Sequence, residues 1–295
     1  MKGPNASGIA AMSGAMALFV VSDVLMKVAS EGADPAQLLA MRNTAIAAVV
    51  VMYARRQRAF AHLRFLVAPR MLVRTVCEGA GTYAYLAALA YIPVATALAL
   101  HMATPMFVLP FAAWLLAERI GAGRVAAVGV GMAGVLLVLR PEAGGVDFWL
   151  AISLGSAVLF ALRDTITRSL PSAFPTSLIL LSGNIAGIAV GIAAMTGREW
   201  VVPDGRTVAC LASSAAVVGT GMQLMIRATR TGSVSVVSPF RYTAVLWAVV
   251  AGWLVWGDLP DAVTFAGIGL IVASGLYALL ADRFSARDRV PPASD

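Results

Sequence analysis

The sequence predicts an all-α membrane protein of ten transmembrane helices, built as two inverted five-helix repeats. Three observations lead there: an apolar composition, hydrophobic runs of membrane-spanning length, and a pattern that recurs halfway along the chain. Of 295 residues, 60% are hydrophobic and 13% charged, and the mean hydropathy is +0.84. Soluble domains hold about 45–50% apolar and about 25% charged residues, so a water-soluble fold has nowhere to bury this much Ala, Val, Leu and Ile.

The runs lie at about 8–28, 37–54, 69–91, 93–117, 121–139, 147–168, 175–195, 207–230, 233–257 and 261–281. Each approaches the roughly 20 residues needed to cross ~30 Å of hydrocarbon as a helix. The first run could be mistaken for a cleaved leader, but its basic start is weak and its pattern returns later in the chain. The third and fourth are separated only by Tyr91-Ile92-Pro93. Arg140-Pro141, Leu170-Pro171 and Leu259-Pro260, with Gly121 and Gly197, punctuate the rest. Pro105 and Pro110 interrupt the fourth span's hydrogen-bond ladder and predict a kink near His101; Pro239 does the same near Arg241. Short loops leave no room for an extramembrane catalytic domain.

Alternate loops differ sharply in charge. One set, with the termini, carries Lys2, Arg55, Arg56, Arg58, Arg64, Arg70, Arg119, Arg124, Arg168, Arg230, Arg283, Arg287 and Arg289; the other carries Arg140, Arg198 and Arg206, with Lys27 near a helix end. Positive residues stay on the cytoplasmic side, so both termini are expected there. The net charge of +7 reflects this topology signal, and no basic-aromatic interleave points to nucleic acid. Cys77 and Cys210 lie in apolar stretches and read as core residues, not as a disulfide or metal site.

Shifted by 141, Phe19, Asp23, Lys27 and Asn43 fall on Phe160, Asp164, Arg168 and Asn184; shifted by 140, Gly79, Gly81 and His101 fall on Gly219, Gly221 and Arg241, and Glu118 on Asp258. Five spans is an odd number, so the second copy enters the membrane upside-down. Inverted repeats of this kind hold a solute site near the bilayer midplane, opened alternately to either side. The division expected is 1–140 for the first repeat, 141–282 for the second and 283–295 for a cytoplasmic tail.

The stretch Thr96-Ala97-Leu98-Ala99, Thr104-Pro105-Met106-Phe107, Leu115-Leu116-Ala117-Glu118-Arg119, Gly129 and Gly134 resembles the drug/metabolite transporter superfamily, in its ten-helix branch of paired EamA-type units. The second half fits more loosely, through Ser233 to Pro239, Trp253 to Asp258 and Gly267-Ile268-Gly269, with Asp258 for the usual Glu and Val245 where Pro105 has its counterpart. The resemblance covers roughly 8–281 and implies an ATP-independent exporter in a bacterial inner (plasma) membrane, most like the aromatic amino-acid exporters.

Charged groups inside a membrane cost at least about 2.5–3.5 kcal/mol, so they face partners or a wet cavity. Arg241 can offer a planar fork to a substrate carboxylate, or make a structural ion pair or snorkel; His101 can offer a hydrogen bond or a proton, or serve packing. Glu78 pairs structurally with Arg42, or else carries a coupling proton. Asp23 with Lys27 and Asp164 with Arg168 have i, i+4 spacing and read as helix-end or gate pairs. Gly79 and Gly81 permit close approach by a helix or substrate. Tyr83 and Tyr85 point to different faces, so one of them at most lines a cavity; Tyr242 and Gln223 complete the candidate substrate-binding set.

No Walker loop, HExxH or Gly-x-Ser-x-Gly occurs, so neither catalysis nor a cofactor or metal is expected. The expected partners are a small-molecule substrate and the lipid bilayer, with the chain acting as a monomer. The leading reading is export of amino acids, aromatic ones included, or similar amphipathic metabolites by alternating access, facilitated or proton-coupled. A drug or quaternary-amine exporter is the alternative, against which Arg241 would repel a cation. A lipid-modifying enzyme would need carboxylates or histidines clustered at one membrane face, which the sequence lacks.

Overall fold

A computed structural model describes residues 4–56, 59–117, 122–139, 147–171, 174–231 and 234–287. Lys2, Arg58, Glu118, Arg119, Gly121, Arg140-Pro141, Ser233 and 288–295, singled out above, lie outside the described residues, as do the side chains of Arg124, Arg230, Arg283 and Arg287. All regular structure among the described residues is helical: α1 (Pro4–Ala29), α2 (Pro35–Arg56), a 3-10 segment (Ala59–Val67), α3 (Pro69–Tyr91), α4 (Val94–His101), α5 (Thr104–Leu116), α6 (Ala122–Leu139), α7 (Phe148–Ser169), α8 (Thr176–Ala194), α9 (Gly205–Thr231), α10 (Val234–Val237), a 3-10 turn (Ser238–Tyr242), α11 (Thr243–Trp256) and α12 (Ala262–Arg287).

Among the described residues, six segments are long and apolar enough to span a bilayer: Ala6–Ala29, Pro35–Arg56, Val94–Leu116, Phe148–Ser169, Thr176–Ala194 and Gly205–Ala228; Val125–Leu139 and Ala262–Tyr277 are shorter apolar helices. α3 matches them in length, but Arg70, Arg74 and Glu78 lower its hydropathy. α12 runs on to Arg287, so the expected tail begins as helix.

The helices start in different ways, and α4 begins after Pro93 with no side-chain cap. At one end aspartates cap the first turn: Asp34 accepts from the Ala36 amide (2.8 Å), Asp147 from Trp149 (2.9 Å), Asp204 from Thr207 (2.8 Å) and Asp261 from Thr264 (3.0 Å). A carboxylate there satisfies a free N–H and complements the helix dipole. Asp34 also meets Arg198 at 2.7 Å, and Glu31 meets Arg206 at 3.1 Å. At the arginine-rich end α3 and α8 begin at proline instead, Pro69 at the first position of α3 and Pro175 just before α8. Proline lacks the N–H that would otherwise need a cap.

Packing crosses between the halves. α1 lies along α9, α3 along α7, α2 along α8, α6 along α12 and α4 along α11. The main core gathers Met12, Met16, Leu38, Leu39, Leu89 and Phe160. Two matching knobs seat this packing: a Cβ on Gly81 would come within 3.3 Å of the Phe160 ring, and one on Gly221 within 2.9 Å of the Phe19 ring. Small residues of this kind let membrane helices approach closely.

Candidate functional site

Two helix interruptions position the central residues. The predicted kink near His101 is a full break: α4 ends at His101, Met102 and Ala103 make tight turns, and α5 restarts with Pro105 in its first turn. Thr104 Oγ1 donates to the carbonyl of His101 at 2.5 Å, satisfying a group that the broken ladder would otherwise strand in lipid. Pro110 sits inside α5, which continues through it. The corresponding break in the second half is the 3-10 turn holding Pro239 and Arg241.

Between these breaks lies a cavity of about 370 Å³. Its polar lining is Asp23, Arg42, Glu78, Thr82, Tyr85, His101, Arg163 and Arg241, with Ser22; Phe19, Phe160 and Met residues supply the apolar wall. The His101 ring sits 5.3 Å from Tyr85 and edge-on to Phe160 at 5.0 Å, and its Nδ1 is buried with no hydrogen-bond partner among the described residues. Arg42 Nε is in the same position. The cavity thus mixes three guanidinium groups with two carboxylates, and aromatic faces stand beside the charges.

The carboxylates are not partnered as expected. Glu78 bridges Arg74 and Arg163, each at 2.9 Å, and Arg74 extends the chain to Thr167 Oγ1 at 3.0 Å. The expected Glu78–Arg42 pair fails on depth: Arg42 lies 7 residues into α2 and Glu78 lies 13 from the matching end of α3, about 9 Å apart at 1.5 Å per residue. Arg42 is instead level with Asp23. Nor does Asp23 pair with Lys27: it accepts from the Tyr85 hydroxyl at 2.8 Å, while Lys27 donates to the Ile92 carbonyl and lies 5.2 Å from the Trp256 ring centre. Asp164 contacts the adjacent Arg163 at 2.7 Å and stays half exposed, off the cavity wall.

Other candidates sit elsewhere. Tyr242 is buried with its ring against Gly275 of α12, which leaves no space for a side chain, and its hydroxyl has no partner among the described residues. Gln223 is exposed on α9 and does not line the cavity. Gly79 packs on Ala186 of α8, where a Cβ would come within 2.9 Å, while Gly81 backs onto α7. Tyr83 lines a second cavity of about 500 Å³ at the aspartate-capped end, with Arg198, Phe148 and the stacked pair Tyr91–Trp149, whose centroids are 4.0 Å apart. Hydrogen bonding to Asp34 raises the pKa of Arg198 there. Of the two tyrosines, it is Tyr85 that faces the central cavity.

Reading the sequence missed Arg74 and Arg163. Arg74 stands four residues before Glu78, a spacing that names the pair, whereas nothing in the local spacing of Arg163 names a partner on another helix. Their signal was the cost of an unpaired intramembrane charge, which demands a carboxylate at equal depth.

The model of the EamA-like transporter family matches residues 6–140 and again 147–280. A riboflavin transporter of Rhizobium johnstonii is 30% identical over 71% of this chain and 70% of its own length. The pseudopaline exporter CntI of Pseudomonas aeruginosa is 31% identical over 87% of this chain and 90% of its own, and an S-adenosylmethionine uptake transporter of Rickettsia bellii is 24% identical over 65% of each. A solved structure described as "Crystal structure of protein" superposes with a TM-score of 0.59 at 22% identity, covering 93% of this chain and 98% of that one, which speaks to the fold alone. With both halves matched, this multi-pass membrane protein belongs to the EamA-like transporter family, within the drug/metabolite transporter superfamily.

Proposed function

We propose that the chain exports small metabolites carrying a carboxylate and an apolar or aromatic part, amino acids foremost, across a bacterial inner membrane. Transport proceeds by alternating access between two inverted five-helix halves, with both termini cytoplasmic and one chain sufficing. The observation that carries the reading is the cavity between the two helix breaks, where Arg241 and the unpartnered His101 and Arg42 groups stand beside Phe19, Tyr85 and Phe160. A guanidinium and a ring face suit an amphipathic anion or zwitterion. The crossed packing of α1 on α9 and α3 on α7 supports the inverted repeat, since a two-fold axis relating the halves exchanges those two pairs.

Export is supported by the exporter that is 31% identical over 87% of the chain. A second reading takes the ring as the main determinant, favoured by the riboflavin transporter relatives; an uncharged substrate would leave Arg241 without an anionic partner. Efflux of labelled phenylalanine and tryptophan from proteoliposomes, with riboflavin as competitor and with or without a pH gradient, tests both readings and the drive. Arg241→Ala is expected to abolish amino-acid flux while the protein stays folded; undiminished flux in that variant overturns the assignment.

A further inference from the structure

Glu78 is held by two arginines on two helices. One carboxylate oxygen accepts from Arg74 of its own helix and the other from Arg163 of α7, each at 2.9 Å. Arg74 in turn donates to Thr167 of α7, so the group ties α3 to α7. Both Glu78 and Arg163 keep about a fifth of their side-chain surface open (20% and 22%) and both line the central cavity. The geometry points to a role for this pair in transport: Glu78 occupies, on Arg163, the place a substrate carboxylate takes, and an arriving anion that displaces it unlatches the α3–α7 seam. This rests on the reading of the cavity as a carrier site for carboxylates.

The exchange leaves no charge bare. Once displaced, Glu78 keeps Arg74, while Arg163 gains the solute's carboxylate and keeps Asp164 at 2.7 Å. One anion replaces another, which avoids the penalty of a buried unpaired ion.

The opposite seam cannot respond in this way. The two shifts that align the halves carry Arg163 onto Ser22 (141) and Arg74 onto Ser214 and Glu78 onto Val218 (140). There α1 and α9 are joined by a neutral Ser22–Ser214 hydrogen bond of 2.8 Å, which offers an anion nothing to compete for. The charged latch lies about 20 Å from the aspartate-capped end and the serine latch about 10 Å. An anion in the cavity therefore loosens the seam toward the arginine-rich end and leaves the other shut.

Cys77, beside Glu78 and 5% exposed, reports the first seam, and Cys210 of α9, 9% exposed, is an internal control. The full chain in lipid nanodiscs is treated with N-ethylmaleimide and both sites are followed by mass spectrometry. Glu78→Gln should speed Cys77 alkylation about tenfold, the change in open population expected when a charge-assisted tie is lost, with Cys210 unchanged. In the unmodified chain, tryptophan and indole-3-acetate should speed Cys77 alkylation and tryptamine should not; Arg163→Gln should open the seam and abolish that response. An unchanged Cys77 rate in Glu78→Gln overturns the latch, as does a rise at both cysteines together, which is general unfolding. A response to indole-3-acetate without tryptophan keeps the latch and overturns the amino-acid reading; no response to either carboxylate overturns the displacement.

Discussion

The α1–α9 and α3–α7 seams use one packing solution and two chemistries. In each, a glycine of a third span receives a phenylalanine from the first span of the other half: Gly81 under Phe160, Gly221 under Phe19. One helical turn away the seams part. α3–α7 carries Arg74, Glu78 and Arg163, while α1–α9 carries Ser214, Val218 and Ser22. Shape has been kept where both copies must close, and charge has been concentrated in one copy. On the latch proposed above, unequal ties would let a solute act on one seam and not on the other.

The sharpest break in that comparison is Glu78→Ala. It leaves Arg74 without its carboxylate and Arg163 with Asp164 alone, and thermal melting in detergent should fall by the equivalent of about 3 kcal/mol. The mirror change, Ser22→Ala, removes one neutral hydrogen bond and should cost about 1 kcal/mol; equal costs would mean the ion group is not a tie. Next in size are the shared knobs. Gly221→Val and Gly81→Val should each cost about 1–3 kcal/mol through overpacking, the first more, because the Phe19 ring lies 2.9 Å from the added carbon and Phe160 lies 3.3 Å away in the other seam. Reversal of that order would show that the α1–α9 seam yields more readily.

The smallest effect concerns the start of α9. Hydrogen bonds from the Thr207 side chain and amide hold the Asp204 carboxyl below its ordinary pKa. A depressed carboxyl stabilises the folded form above its unfolded value near 3.9 and loses that contribution as pH falls through the folded value. Asp204→Asn should flatten the acid limb of the melting-temperature profile below about pH 4; an unaltered limb would remove the cap from the account.

Much of this was legible from sequence, for reasons that also set the limit. Hydropathy and punctuation placed 69–91 as α3 is found, and the other edges fell within a few residues except at the C-terminal end of α12, because burial in lipid leaves apolar runs little choice. His101 and Arg241 were readable as central, since their equivalence lies in the repeat. The partners that reach Glu78 and Asp23 from other helices were not. An i, i+4 neighbour such as Lys27 is visible in one dimension, whereas Arg163 and Tyr85 reach those carboxylates only once other helices are packed alongside. Pro105 and Pro110 signalled a kink, but not that α4 ends at His101, ahead of the turn at Met102–Ala103.

Both halves interrupt a spanning helix beside the cavity, at Met102–Ala103 and across Ser238–Tyr242. Peptide groups in an unbroken membrane helix are locked in hydrogen bonds and shielded by acyl chains, so deuterium reaches them slowly. At these two places the regular locking lapses where solvent has a route in. The backbone at Met102–Ala103 and across Ser238–Tyr242 should therefore take up isotope early, so that water reaches helical backbone beside the cavity before it reaches the unbroken helices around it.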